Sequence, residues 1–137
     1  MSTVILYYSL GGITKEFAEK QAAETGADLF EVREIKKRNG FTAFIPGCCL
    51  AMALKSSAIE PVEADLSAYD EIVIMGPIWA GQPAPAVNAI IGLLPAGKSV
   101  SLVCTSGRGG YGLEKTAALI EAKGCTVKDR VCHGKPE

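Results

Sequence analysis

The sequence predicts an α/β fold in which a doubly wound, five-stranded parallel sheet carries helices on both faces. Three observations predict it. Short, continuously apolar runs recur along the chain, stretches with helical spacing separate them, and Gly-rich turns close each run. Strands alternating with helices of about ten residues are βαβ units, which build parallel sheets with right-handed crossovers.

The first run, Val4-Ile5-Leu6-Tyr7-Tyr8, is β-branched and aromatic without alternation, the pattern of a strand covered on both faces. From Thr14 the residues become helix formers, through Lys15, Glu16, Phe17, Ala18, Glu19 and Lys20, with Gly26 placed to close the helix in a left-handed cap. Leu29 to Glu34 alternates apolar and charged residues and reads as a second strand nearer an edge. Phe41, Phe44, Ile45, Cys48, Cys49 and Met52 form a helical stripe broken by Pro46-Gly47, so a helix there starts late or kinks. Ile72-Val73-Ile74-Met75 and Val100-Ser101-Leu102-Val103-Cys104 are strands three and four. Between them Val87, Ile90, Ile91 and Leu94 mark an amphipathic helix with Pro85 in its first turn, and Leu113, Thr116, Ala117 and Ile120 mark another before Gly124. Cys125 to Cys132 is a weaker fifth strand.

A chain of 137 residues fits one domain, and 48% hydrophobic with 21% charged residues is an ordinary globular balance. A net charge of −1, with no basic run, excludes nucleic acid and anionic membrane surfaces as natural partners. The first apolar run has no basic residues before it and stops at Ser9, too soon for a signal peptide or membrane span, so the expected compartment is the cytoplasm. Five cysteines, an odd number without C-x-x-C spacing, argue against a disulfide framework or structural zinc site and for reduced thiols packed in the interior. No metal site is expected.

In doubly wound sheets ligands sit outside the carboxyl ends of the strands, so the loops after strands one, three and four form the candidate site. Ser9-Leu10-Gly11-Gly12-Ile13-Thr14 runs from a strand directly into a helix amino terminus, where unpaired amides and the helix dipole favour an anion. Its spacing matches neither the G-x-G-x-x-G of dinucleotide sites nor a nucleoside-triphosphatase loop, and suits a single monophosphate. The third loop holds Gly76, Pro77, Ile78, Trp79, Ala80, Gly81 and Gln82. Trp79, the one Trp, either offers a flat surface to a planar ring or folds back over a helix, and its place at the binding edge selects the first. The fourth loop, Thr105-Ser106-Gly107-Arg108-Gly109-Gly110-Tyr111-Gly112, adds freed backbone donors, a cation and an aromatic.

The order and spacing of the three loops resemble the flavodoxin family, from Thr3 to about Cys132. That family's phosphate loop reads Ser/Thr-x-Thr-Gly-x-Thr, met here by Ser9, Gly12 and Thr14, with Gly11 in place of the middle Thr. The stretch Tyr69-Asp70-Glu71-Ile72, then Gly76 to Gly81, then Pro83-Ala84-Pro85-Ala86-Val87, is similar to a small-chain branch of the family. The resemblance implies strand order 2-1-3-4-5, FMN as cofactor, and electron transfer to redox partner proteins. It implies a phosphate held by residues 9–14 and an isoalloxazine ring held by residues 77–81, 105–107, 110 and 111, stacked on Trp79 and Tyr111. Backbone groups of Gly76, Ala80, Gly81 or Gln82 would meet the ring's N5 edge. Gly11 removes a hydroxyl donor, and near-neutral charge removes the long-range steering of the acidic members.

Two other functions fit the same fold. One is an NAD(P)H-dependent flavin or quinone reductase with Arg108 drawing a nucleotide phosphate; the other is a flavin-free interaction module. A receiver-type regulatory domain is disfavoured because no Asp cluster ends the first strand. His133, the single His, is expected on the surface away from the three loops. The family's final helix has no counterpart after Cys132, so the sequence predicts an uncovered apolar face over strands one and three, buried in a symmetric homodimer.

Overall fold

The computed structural model describes residues 2–9, 12–35, 59–79, 82–105 and 113–133. The elements in chain order are β1 (Thr3–Tyr7), α1 (Ile13–Thr25), β2 (Asp28–Glu31), a 3-10 turn at Leu66–Ala68, β3 (Glu71–Trp79), β4 (Gln82–Pro83), α2 (Pro85–Gly92), β5 (Ser99–Thr105), α3 (Glu114–Ala122) and β6 (Thr126–His133). Five strands pair in parallel in the order β2-β1-β3-β5-β6, and β4 pairs antiparallel with the end of β3. Counting the parallel strands alone, this is the 2-1-3-4-5 order that the resemblance implied. The helical stripe at residues 41–52, with Cys48 and Cys49, lies outside the described residues.

The uniform apolarity of β1 follows from its place between two neighbours in a sheet covered on both sides. Val4 and Leu6 enter the larger core with Ile72, Ile74, Val100 and Leu102, under α2 and α3. Ile5 and Tyr7 point the other way and meet Val73, Met75 and Val103 under α1. Helix α1 comes close to the sheet because its inward residues are small, Ala18 buried and Ala22 partly so. It ends at Gly26 in the left-handed region (φ 74°), as its sequence predicts. Helix α2 is buried more completely than an amphipathic stripe requires: Pro85, Ala86, Val87, Asn88, Ile90 and Ile91 are all buried.

Two expectations are corrected. Strand β3 does not end at Met75 but runs on to Trp79, because Gly76 and Pro77 still pair with Cys104 and Thr105 while Ile78 and Trp79 pair with Pro83 and Gln82. The third loop is therefore the tip of a hairpin that overhangs the sheet.

The expected uncovered face over strands one and three is also absent, because α1 shields it: Ile5, Tyr7, Val73 and Met75 are at most 5% exposed. Farther along, β5 presents Ser99 and Ser101 on that face rather than large apolar groups. Lys128 of β6 reaches Glu71 of β3 there, Nζ to Oε1 2.9 Å, spanning the intervening strand. Among the described residues the exposed large apolar side chains are Ile13, Ile35, Leu93 and Val131, scattered over four segments. The β5–β6 register shifts once: Val100 pairs with Val127 but Ser101 with Asp129, so Lys128 is an extra residue on β6.

Candidate functional site

All three helices begin at the edge where the parallel strands end, and among the described residues none of their amino termini has a side-chain cap. Gly12 precedes α1 at φ 93°, Ala84 precedes α2, and Leu113 precedes α3 at φ 63°. The first-turn amides of a helix have no intrahelical partner, and no hydroxyl or carboxylate among the described residues caps them. Leu113 is the non-Gly residue with positive φ among the described residues, a conformation costing about 1–3 kcal/mol that collects at ligand sites.

At α1 the left-handed turn of Gly12 lets the chain pass from β1 into the helix without a side chain over the end. A Cβ at Gly12 would meet nothing within 4 Å among the described residues. Ser9 Oγ accepts the Gly12 amide at 2.9 Å and fixes the turn from the strand side. Thr14 is 2% exposed and its Oγ1 lies 2.8 Å from Oγ1 of Thr105, itself 5% exposed. That contact joins the first and fourth loop regions across the end of the sheet. Ile13 is exposed beside it. Leu10, Gly11, Ala80, Gly81, Ser106, Gly107, Arg108, Gly110 and Tyr111 lie outside the described residues.

The hairpin places Pro77, Ile78 and Trp79 along the overhang of β3, with the Ala84 amide donating to the Pro77 carbonyl at 2.9 Å where the chain turns into α2. Gly76 is at the base of this overhang, and Val87 of α2 packs where its Cβ would be.

His133 is a further correction, since it is not away from the loops. It pairs with Thr105 at the end of β6, and its ring stacks on Phe17 of α1 with centroids 5.2 Å apart and planes 13° apart. Sequence reasoning missed it because chain position near a terminus says nothing of register; counting strands four and five to a common end would have found it. Also missed was Tyr8, whose hydroxyl donates to the buried carboxylate of Glu34 while its ring packs on Ala84 and Ala86, tying β1 to the start of α2.

On the α1 side, Tyr7 donates to Glu31 Oε2 at 3.0 Å and Arg33 donates to Oε1 at 2.7 Å. Arg33 holds the Glu31 carboxyl below its usual range. Burial, with the Glu31 hydrogen bond and charge, pushes the Tyr7 phenol up to about 12. The protonated phenol is thus favoured by folding, and this contribution is complete below the unfolded value near 10. It is lost as pH rises from about 10 towards 12. Denaturant midpoints across that interval should fall more steeply for the native protein than for Tyr7→Phe; equal slopes would show that Tyr7 is not the group responsible.

Cys104 is fully buried next to Cys132, and burial raises its thiol well above the usual range, so it stays protonated. Cys125 donates to the Pro95 carbonyl. The described cysteines form no disulfide, and no group of three metal-ligating side chains occurs among the described residues.

No family model matches the chain, and no curated protein is similar to it in sequence. Solved structures do match. A flavoprotein from Lactobacillus acidophilus NCFM, determined in complex with FMN, superposes with a TM-score of 0.77 at 24% identity, covering 96% of this chain and 92% of that one. A protein from Bacteroides eggerthii DSM 20697 that carries the flavoprotein designation gives 0.82 at 23% identity over 99% and 90%. The fold is flavodoxin-like. Flavodoxin 1 from Bacillus cereus matches over 100% of this chain and 88% of its own at 14% identity, with a TM-score of 0.53. In this flavodoxin-like fold the uncapped helix ends, the β3 overhang and the Thr14–Thr105 contact share the carboxyl edge of the sheet, the place where open α/β sheets bind ligands. No described helix is long and apolar enough to cross a membrane.

Proposed function

We propose that the chain binds FMN at this edge and serves in electron transfer with redox partner proteins. The observation that carries the reading is the set of helix amino termini left without side-chain caps around the ends of β1, β3 and β5, on a fold shared with a flavoprotein in complex with FMN. The residues fit the cofactor. The open turn at Gly12 and the first amides of α1 suit its phosphate, with Ser9 and Thr14 supplying hydroxyls. The overhanging hairpin with Trp79 suits its ring.

Bound FMN would supply reversible uptake of one or two electrons; the protein's part is to hold and tune it. Helix α1 would fix the phosphate end, and the pairing of Ile78 with Pro83 and of Trp79 with Gln82, next to the buried start of α2, would present the ring end.

FMN should bind more tightly than riboflavin and than FAD, since a favourable charge at a helix amino terminus contributes about 0.3–1 kcal/mol when exposed and up to about 2 kcal/mol when partly buried. Calorimetry with the three flavins measures this. Equal affinities for riboflavin and FMN would sink the phosphate site at α1, and a protein that binds FMN but cannot cycle it between oxidation states would sink the electron-transfer role.

A further inference from the structure

The geometry points to His133 as an additional phosphate-recognising residue, so that the anion end of the cleft is built from three elements: α1, β5 and β6. The inference rests on the proposed FMN site and extends it to a strand that the phosphate loop does not include.

Three observations converge. First, the buried pair Thr14 and Thr105 has a hydrogen to spare. Each hydroxyl carries one donor, a single hydrogen joins the two oxygens at 2.8 Å, and neither side chain has another partner among the described residues. A buried donor without an acceptor is costly, so the pair is complete only when an acceptor arrives at the α1 end. Second, β6 brings His133 level with Thr105, and both side chains face α1. Third, the His133 ring lies flat on Phe17, which is one turn along α1 from Thr14 and on the same side of the helix. The stack fixes the plane of the imidazole, and the residue as a whole is exposed.

The ligand chemistry follows. The spare hydroxyl hydrogen, the first amides of α1 and an imidazole are all donors, and an imidazole adds positive charge when protonated. Such a set selects a phosphate monoester over a neutral hydroxyl, and so FMN over riboflavin.

The test is a charge series at one exposed position on an edge strand. His133→Lys, His133→Gln and His133→Glu, each in the full chain, are titrated with FMN and with riboflavin at fixed ionic strength. FMN affinity should rank Lys, His, Gln, Glu from tightest to weakest, with about ten-fold between the ends, equal to about 1.4 kcal/mol. Riboflavin affinity should stay within about two-fold throughout. A wild type that prefers FMN while the series is flat, or a series in which riboflavin moves in step with FMN, overturns the role of His133 and leaves the FMN site standing. A wild type that binds neither flavin, or binds both equally, overturns the phosphate site and this inference with it.

Discussion

Gly76→Ala should destabilise the protein by about 1–3 kcal/mol and move α2 away from the sheet. A Cβ at this position would lie 2.3 Å from Cγ2 of Val87, far inside any real carbon contact. Val87 cannot swing aside: it is fully buried, branched next to the backbone and in the first turn of α2, where its χ1 is restricted. Nor can Gly76 retreat, since its strand pairs with β5 at this residue. The helix must therefore shift, and with it the chain from Pro77 to Ala84 that hangs between them. Urea denaturation measures the loss. Gly76→Ala combined with Val87→Ala should recover much of it, a coupling of about 0.5–3 kcal/mol between neighbours. Strictly additive losses would show that the two residues do not meet.

Trp79→Ala should weaken FMN binding by about ten- to a hundred-fold, from stacking energies of about 1–3 kcal/mol on an aromatic surface. Trp79 stands at the end of β3 where the strand has passed its parallel neighbours and pairs only with Gln82. Trp79→Phe keeps an aromatic surface and should retain most of the affinity. As the one Trp in the chain it is also a clean optical probe, and FMN should quench its fluorescence. The pattern across flavins matters as much as the size. Removing a ring platform weakens riboflavin and FMN alike, whereas the His133 series acts on FMN alone. Unchanged affinity of both flavins in Trp79→Ala would place the ring elsewhere.

What the sequence made legible was local. The unbroken apolar run at Val4 to Tyr8, the cap at Gly26, Pro85 in the first turn of α2 and the spacing of Leu113 to Ile120 each lie within one element, and each element is present. The turn proposed to take the phosphate was legible for the same reason, being a strand, a glycine and a helix start in succession. What escaped depends on register and packing between distant segments. The Thr14–Thr105 pair spans 91 residues, the Phe17–His133 stack joins α1 to the last described strand, and the clash at Gly76 depends on a helix eleven residues on. The covering of strands one and three belongs with these, since it depends on α1 packing over Ile5, Tyr7, Val73 and Met75. Only the polar side of β5 is visible locally, in Ser99 and Ser101 two apart.

The extra residue at Lys128 makes the end of β6 a matter of parity. Val127 and Cys132 are five positions apart, an odd interval that in a regular strand sends side chains to opposite sides, yet both pack against the same core. The additional residue reverses the alternation, and the same reversal turns His133 towards Phe17. Position 128 is therefore dispensable to the direction of the strand. A chain shortened by one residue between Val127 and Asp129 makes the interval from Val127 to Cys132 even, so an unbulged strand still carries Cys132 to the core and the imidazole to the α1 side, and what is lost is the contact from Lys128 to Glu71.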